Sequence, residues 1–159
     1  MSAATPCTVY VPRDAGALSL GAGEVAEAIA ATARQRQTEV RIVRNGSRGL
    51  YWLEPLVEVV TREGRIAYGP VSAADVPGLF DAGFLQGGNH SLRLGPTESI
   101  PYLRDQQRLT FARVGVIDPV SIADYVAHDG FQGLRAALSM SPAAIVEAVT
   151  QSGLRGRGG

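Results

Sequence analysis

Leu56-Val57-Glu58-Val59-Val60-Thr61-Arg62-Glu63-Gly64-Arg65-Ile66-Ala67-Tyr68 is the stretch on which the fold class turns. Its β-branched run at 56–60 reads as a strand. Arg62-Glu63-Gly64 turns the chain, and 65–68 reads as the returning partner of a hairpin. Upstream, 39–43 alternates polar and apolar residues, which suits another strand, and 44–55 is a loop holding Asn45-Gly46 and Gly49. From Gly23 the pattern is helical. Val25, Ala28, Ile29 and Ala33 recur at spacings of three and four, and Glu24 and Glu27 sit near the positive end of the helix dipole. Residues 12–21 read as a loop and 7–11, Cys-Thr-Val-Tyr-Val, as a short first strand. Downstream, 72–80 reads as a short helix with Ser72 as N-cap and Asp75 three residues on. The order is β-α-β-β-β-α, an α/β unit in which a small open sheet carries helices.

Beyond that unit the composition shifts. Residues 83–101 hold Gly83, Gly87, Gly88, Gly95, Pro96 and Pro101 with little periodicity, so 83–107 is expected to be a linker arm. Three helices are expected next. Asp118-Pro119 provides a cap and a first-turn proline for 121–128. A second helix covers 130–138, and Ser141-Pro142 repeats the device for 143–151. The resulting division is 1–82, 83–107 and 108–159.

Composition excludes several classes of chemistry. The chain has 159 residues, 45% of them hydrophobic and 19% charged, enough to bury a core. Its 15 basic and 15 acidic residues balance, so nothing points to nucleic acid or an acidic membrane surface. Every basic residue is Arg, which rules out a P-loop lysine, a Schiff-base lysine and a lysine general base. The lone Cys7 allows no internal disulfide and no Cys-x-x-Cys redox motif. His90 and His128 are thirty-eight positions apart and make no His-rich metal site. The N-terminus has no signal-peptide pattern, and no run approaches the roughly 18 apolar residues of a membrane helix. The expected compartment is the cytoplasm.

The element order in the first eighty residues is that of a thioredoxin-like domain. The most informative motif is the ending, Ser152-Gly153-Leu154-Arg155-Gly156-Arg157-Gly158-Gly159. Glycines let backbone N–H groups approach an anion closely, and Arg adds a charge-assisted donor. Alone, such a string is better read as a frayed terminal tail. It follows Arg108-Leu109-Thr110-Phe111-Ala112-Arg113-Val114-Gly115-Val116-Ile117-Asp118-Pro119, Ser121-Ile122-Ala123-Asp124-Tyr125 and Gly133-Leu134-Arg135-Ala136-Ala137-Leu138. In that context the chain resembles the opening of the flavin-bearing, NADH-oxidising subunit of respiratory complex I. It resembles still more its relatives in soluble NAD-linked hydrogenases and molybdenum- or tungsten-dependent formate dehydrogenases. The resemblance implies that Gly156, Arg157, Gly158 and Gly159 enter a cofactor-binding loop against FMN and NAD(H), with a [4Fe-4S] cluster in sequence beyond these residues. Hydride would pass between nicotinamide and flavin, and single electrons would leave by iron–sulfur clusters.

In fused relatives a thioredoxin-like [2Fe-2S] ferredoxin domain precedes the flavin domain. Its ligands are a Cys, four residues and a Cys, then a later Cys, three residues and a Cys. Leu18-Ser19-Leu20-Gly21-Ala22 matches the helix entry after the second of these, which places the first pair at Pro12 and Ala17. The second pair falls at Ser47 and Tyr51. No thiolate remains, so this segment is expected to hold no [2Fe-2S] cluster. A cluster-free version of this domain is most similar to the beta subunit of soluble NAD-dependent formate dehydrogenase. Phrases such as Tyr68-Gly69-Pro70-Val71 and Leu79-Phe80-Asp81-Ala82-Gly83-Phe84 fit that group. The partners implied are a metal-containing catalytic subunit and a small [2Fe-2S] subunit.

Among single residues, His90 reads as a surface hydrogen-bonding group and His128 as a helix-end residue. Trp52 reads as packing, and Tyr51 with Trp52 is a candidate to fill the vacated cluster volume. No general acid–base pair is visible, so no catalytic residue is assigned. Two function classes remain: an oxidoreductase component, and a non-catalytic docking module that holds neighbouring subunits. The diaphorase subunit of an NAD-linked hydrogenase is the alternative within the first class.

Overall fold

A computed structural model describes residues 6–156 and 158. The chain divides into two compact units, Met1–Ser121 and Ile122–Gly159.

The first unit is built on a five-stranded sheet: β1 (Cys7–Tyr10), β2 (Val40–Val43), β3 (Val57–Thr61), β4 (Gly64–Tyr68) and β5 (Arg93–Pro96). Their order across the sheet is β2-β1-β3-β4-β5. β1 and β2 run parallel, and the other neighbours run antiparallel. A parallel pair needs a crossover, and the chain supplies α1 (Ala15–Ser19) and α2 (Ala22–Gln35) between β1 and β2. After β4, a 3₁₀ turn at Ala73–Asp75 leads into α3 (Val76–Asp81), with Ser72 and Asp75 forming the expected capping box. A βαβ unit, an antiparallel hairpin and a closing helix in the order 2-1-3-4 is the thioredoxin-like core.

Two apolar layers flank the sheet. Val9, Val57, Val59, Ile66 and Tyr68 face α2 and α3, meeting Val25, Ile29, Val76, Leu79 and Phe84. The α2 stripe Ala22, Val25, Ala26, Ile29 and Ala33 is the buried face that the helical spacing implied. On the other side, Leu50, Leu56, Ala67, Ile100 and Leu103 form a second cluster. The hairpin is as read from the sequence, with Val60 opposite Arg65 and Thr61 opposite Gly64. Gly64 takes a φ of +102°, where a side chain is strained.

Three secondary-structure expectations are corrected. The 83–107 stretch is no free arm. Phe84 and Leu85 are buried in the first layer, Arg93–Pro96 pairs with β4, and α4 (Pro101–Arg104) puts Leu103 into the second. Sparse apolar residues among glycines and prolines hid a four-residue edge strand, the place where a proline is tolerated. The 12–21 loop contains α1, too short to show periodicity. Asp118 and Pro119 form a turn, not a cap, in which the Asp118 side chain accepts from the Val120 amide at 3.0 Å. The residues 108–121 that precede the helices belong to the first unit.

The second unit holds α5 (Ile122–Ala127), α6 (Gln132–Leu138) and α7 (Pro142–Gln151). Ser141 caps α7 as expected, accepting from the Ala144 amide at 3.2 Å.

Candidate functional site

The two loops to which the sequence assigned the absent ligands come together. Pro12 and Ala17 are buried in the β1–α1 region, and Ser47 is half-buried in the β2–β3 loop. The Asp14 carboxylate ties them. Its Oδ1 accepts from the Ala17 amide at 3.2 Å, capping α1, and its Oδ2 accepts from the Ser47 amide at 3.0 Å. The Ser47 hydroxyl then donates to Glu54 Oε1 at 2.7 Å and accepts from the Gly49 amide at 2.9 Å. Glu54 is buried, and its other oxygen accepts from the Leu56 amide at 2.9 Å. Burial pushes the Glu54 carboxyl above its ordinary value. The Ser47 and Leu56 donors pull it down, and the nearby negative charges of Asp14 and Glu58 push it up.

These residues do not fit an iron–sulfur cluster. Pro12 and Ala17 offer no donor atom, and Ser47 is committed to Glu54. Tyr51 and Trp52 are corrected as fillers of a vacated volume, since they are 65% and 61% exposed. Trp52 instead meets Tyr102 edge to face at 5.3 Å. Among the described residues no group of three or more His, Cys, Asp and Glu side chains is placed to hold a metal ion. Cys7 lies at the far end of β1, where its thiol donates to the Leu85 carbonyl at 3.3 Å, and burial pushes its pKa up.

A second charged constellation lies on the face of the sheet away from α2. Arg48 grips Glu58 in a two-pronged fork, Nε to Oε1 at 3.1 Å and Nη2 to Oε2 at 2.9 Å. Both side chains are almost wholly buried, at 4% and 1% exposure. Arg48 Nη1 also reaches the exposed Glu98 at 2.9 Å. Burial works against the Arg48 charge, but Glu58, with Glu98 adding to it, outweighs this and holds its pKa above the usual value. Arg65 Nη1 stands 3.6 Å from the same Glu58 oxygen. The sequence reading missed this cluster. Its signal was Glu58 itself, a charge within a run of Leu and Val. Period-two alternation puts Glu58 on the face opposite Val57 and Val59, and that face is covered.

The sequence-assigned cofactor string lies in the second unit. Arg157 and Gly159 lie outside the described residues. A Cβ on Gly156 or Gly158 would meet nothing within 4 Å, and Leu154 is 81% exposed. A flavin-sized ligand needs walls over most of its surface. The described residues here supply none. His90 Nδ1 accepts from the Leu92 amide at 3.2 Å, and His128 is the first residue of the turn after α5, its Nδ1 2.9 Å from the Asp124 carbonyl.

Part of this chain is similar to a hydrogenase subunit. It is 50% identical over 56 residues to the NADP-reducing hydrogenase subunit HndC of Solidesulfovibrio fructosivorans. That match spans 35% of this chain and 11% of the relative. No protein-family model matches the chain. Among solved structures, the wild-type thioredoxin-like [2Fe-2S] ferredoxin of Aquifex aeolicus aligns at 23% identity and a TM-score of 0.47. The alignment covers 58% of this chain and 99% of that one. A cysteine-to-serine variant of that ferredoxin aligns at 22% identity and the same TM-score of 0.47, over 56% of this chain and 98% of its own. No helix among the described residues is long and apolar enough to cross a membrane.

Proposed function

We propose that this chain is the N-terminal portion of a diaphorase-type subunit of a multi-subunit, NAD(P)-linked oxidoreductase, in which electrons pass between FMN and NAD(H). The observation that carries this reading is the 50% identity over 56 residues to a hydrogenase subunit. The glycine-rich string after α7 supports it, with Gly156, Arg157, Gly158 and Gly159 as the start of the cofactor-binding loop. FMN in such a subunit supplies the junction between two-electron and one-electron transfer. The thioredoxin-like unit takes no part in that transfer. It acts as scaffold, its two loops held by Asp14, Ser47 and Glu54.

The electron donor assigned is formate, oxidised to CO2 as NAD+ becomes NADH. Support for formate comes from the absent cysteines at Pro12, Ala17, Ser47 and Tyr51, a pattern similar to formate dehydrogenase beta subunits. The HndC similarity favours hydrogen as donor, which is the second reading. Partners would be a metal-containing catalytic subunit and a small [2Fe-2S] subunit, in the cytoplasm, with a [4Fe-4S] cluster elsewhere in this subunit.

The test is to isolate the natural complex that contains this polypeptide. Its flavin is measured, and NAD+ reduction is followed with formate and with hydrogen. Formate-driven reduction with FMN bound is expected. Hydrogen-driven reduction alone selects the second reading. A complex without flavin, containing a subunit of this length only, overturns the diaphorase reading and leaves the scaffold.

A further inference from the structure

β2 closes one end of the sheet, and among the described residues only β1 pairs with it. In a parallel pair each residue turns its N–H and its C=O to the same side. The Val11 amide donates to the Val43 carbonyl at 3.0 Å and the Arg13 amide to the Asn45 carbonyl at 2.9 Å. Arg41, Val43 and Asn45 therefore turn their backbone groups toward β1, and Val40 and Ile42 turn theirs outward. An open edge of this kind is a template for another strand. The side chains divide between the two faces of the sheet. Val40 and Ile42 pack against the core layer under α2, while Glu39 and Arg41 lie on the opposite face, both exposed. Neither of these two has an ion pair or a side-chain hydrogen bond among the described residues. Beside the edge, a groove of about 490 Å³ runs between β2 and α2, lined by Ala30 and Ala33.

Natural edge strands use charge to repel other strands, but this one alternates an acid with a base and so complements itself. We propose that β2 is an interface between two copies of this chain, which join edge to edge and antiparallel across a two-fold axis. Charge fixes the register. With Val40 opposite Val40 of the second copy, Glu39 stands opposite Arg41 on both sides of the axis. Those are the non-hydrogen-bonded positions, where facing side chains come closest. The outward groups of the two Val40 residues bond each other, and each Ile42 amide meets the Thr38 carbonyl across the axis. The Thr38 amide is already given to the Ala33 carbonyl at 2.9 Å. Slipping the pairing so that Val40 faces Ile42 sets Arg41 against Arg41, and a further slip sets Arg41 against Val43. Like charges directly opposite one another are destabilising. The favoured register also lays Val40 and Ile42 of the second copy over the groove, where Ala30 and Ala33 leave room. The same patch serves both copies, as a two-fold interface requires. The proposal concerns the first unit alone and holds for either electron donor.

Sedimentation equilibrium of the full chain, at concentrations up to about 1 mM, tests it. The wild type is expected to pass from 16.7 kDa to twice that mass as concentration rises. Glu39→Arg and Arg41→Glu each turn both ion pairs of the dimer into like-charge pairs, and each is expected to weaken it at least about tenfold. An equimolar mixture of the two variants restores both pairs between unlike chains, so it is expected to dimerise as the wild type does. A dimer formed through any other surface gives no such rescue. Hydrogen exchange supplies a second reading. The Val40 and Ile42 amides are expected to slow as concentration rises, whereas those of Arg41 and Val43, already turned to β1, stay as they are. If either variant does not fold, the amide reading on the wild type decides. A wild type that stays monomeric, single variants that dimerise like it, or a mixture without rescue overturns the edge pairing. So do Val40 and Ile42 amides that exchange alike at every concentration.

Discussion

The sheet-bearing unit and the three helices that follow it draw on the same apolar residues and end in opposite states. In the first, Val9, Ile29, Val59 and Leu79 are fully buried, because helices from distant parts of the sequence close over one face of a sheet. In the second, α5, α6 and α7 bury no residue of their own. Ile122, Leu134, Leu138, Val146 and Val149 all stand more than half exposed. The helices are locally well specified, with Ser141 at a cap and Tyr125 edge to face with Phe131 at 4.9 Å. Apolar stripes alone do not make a core; they need a second layer. Exposed apolar surface of this extent marks interaction sites.

Paired substitutions give the largest test of that contrast. Ile29→Ala empties a fully buried position and is expected to cost about 2–5 kcal/mol of unfolding free energy. Leu134→Ala, in a side chain 54% exposed, is expected to stay within about 0.5 kcal/mol. Urea denaturation of both variants measures the difference. Equal losses would mean that α6 is packed as firmly as α2, and the contrast would fail.

Glycines sharpen the same comparison on a smaller scale. Gly115→Ala meets a positive φ and the Arg48 side chain together, so it is expected to cost about 2–3 kcal/mol. Gly156→Ala meets neither and is expected to leave stability within about 0.5 kcal/mol. Under the proposed function, Gly156→Ala would instead lower FMN content in the complete complex. A stability loss at Gly156 matching that at Gly115 would show that its surroundings are closed, not open.

The parts of the fold that were legible had dense local signals. The α2 stripe, the β3–β4 hairpin and the Ser72 and Ser141 caps each rest on residues within a few positions of one another. β5 and the 113–117 segment were not legible, because what holds them is far away in sequence. Gly115 is fixed by Asn45 and Arg65, 70 and 50 residues distant. The tie between the β1–α1 and β2–β3 loops was not legible, since Asp14 and Ser47 meet across 33 residues. The cofactor string was assigned mainly by resemblance, and a Cβ added at Gly156 or Gly158 would meet nothing within 4 Å.

The Asp14–Ser47–Glu54 network offers the smallest effect and a distinct signature. Burial holds the Glu54 carboxyl above its ordinary value of 4.5, so the folded chain binds that proton more readily than the unfolded chain does. Its contribution to stability is therefore fully present below the ordinary carboxylate range. It is lost as pH rises through the raised value. Glu54→Gln removes the titration and can keep both contacts, the amide carbonyl accepting from Leu56 and the amide N–H donating to the Ser47 hydroxyl. Relative to the wild type, the variant is expected to gain stability as pH rises from about 4 to about 8, the span that brackets a raised carboxyl. Urea midpoints across that range measure it. A constant difference between the two proteins would mean that Glu54 releases its proton no later in the folded chain than in the unfolded one. The network would then be a solvated loop contact and not a buried tie between the two loops.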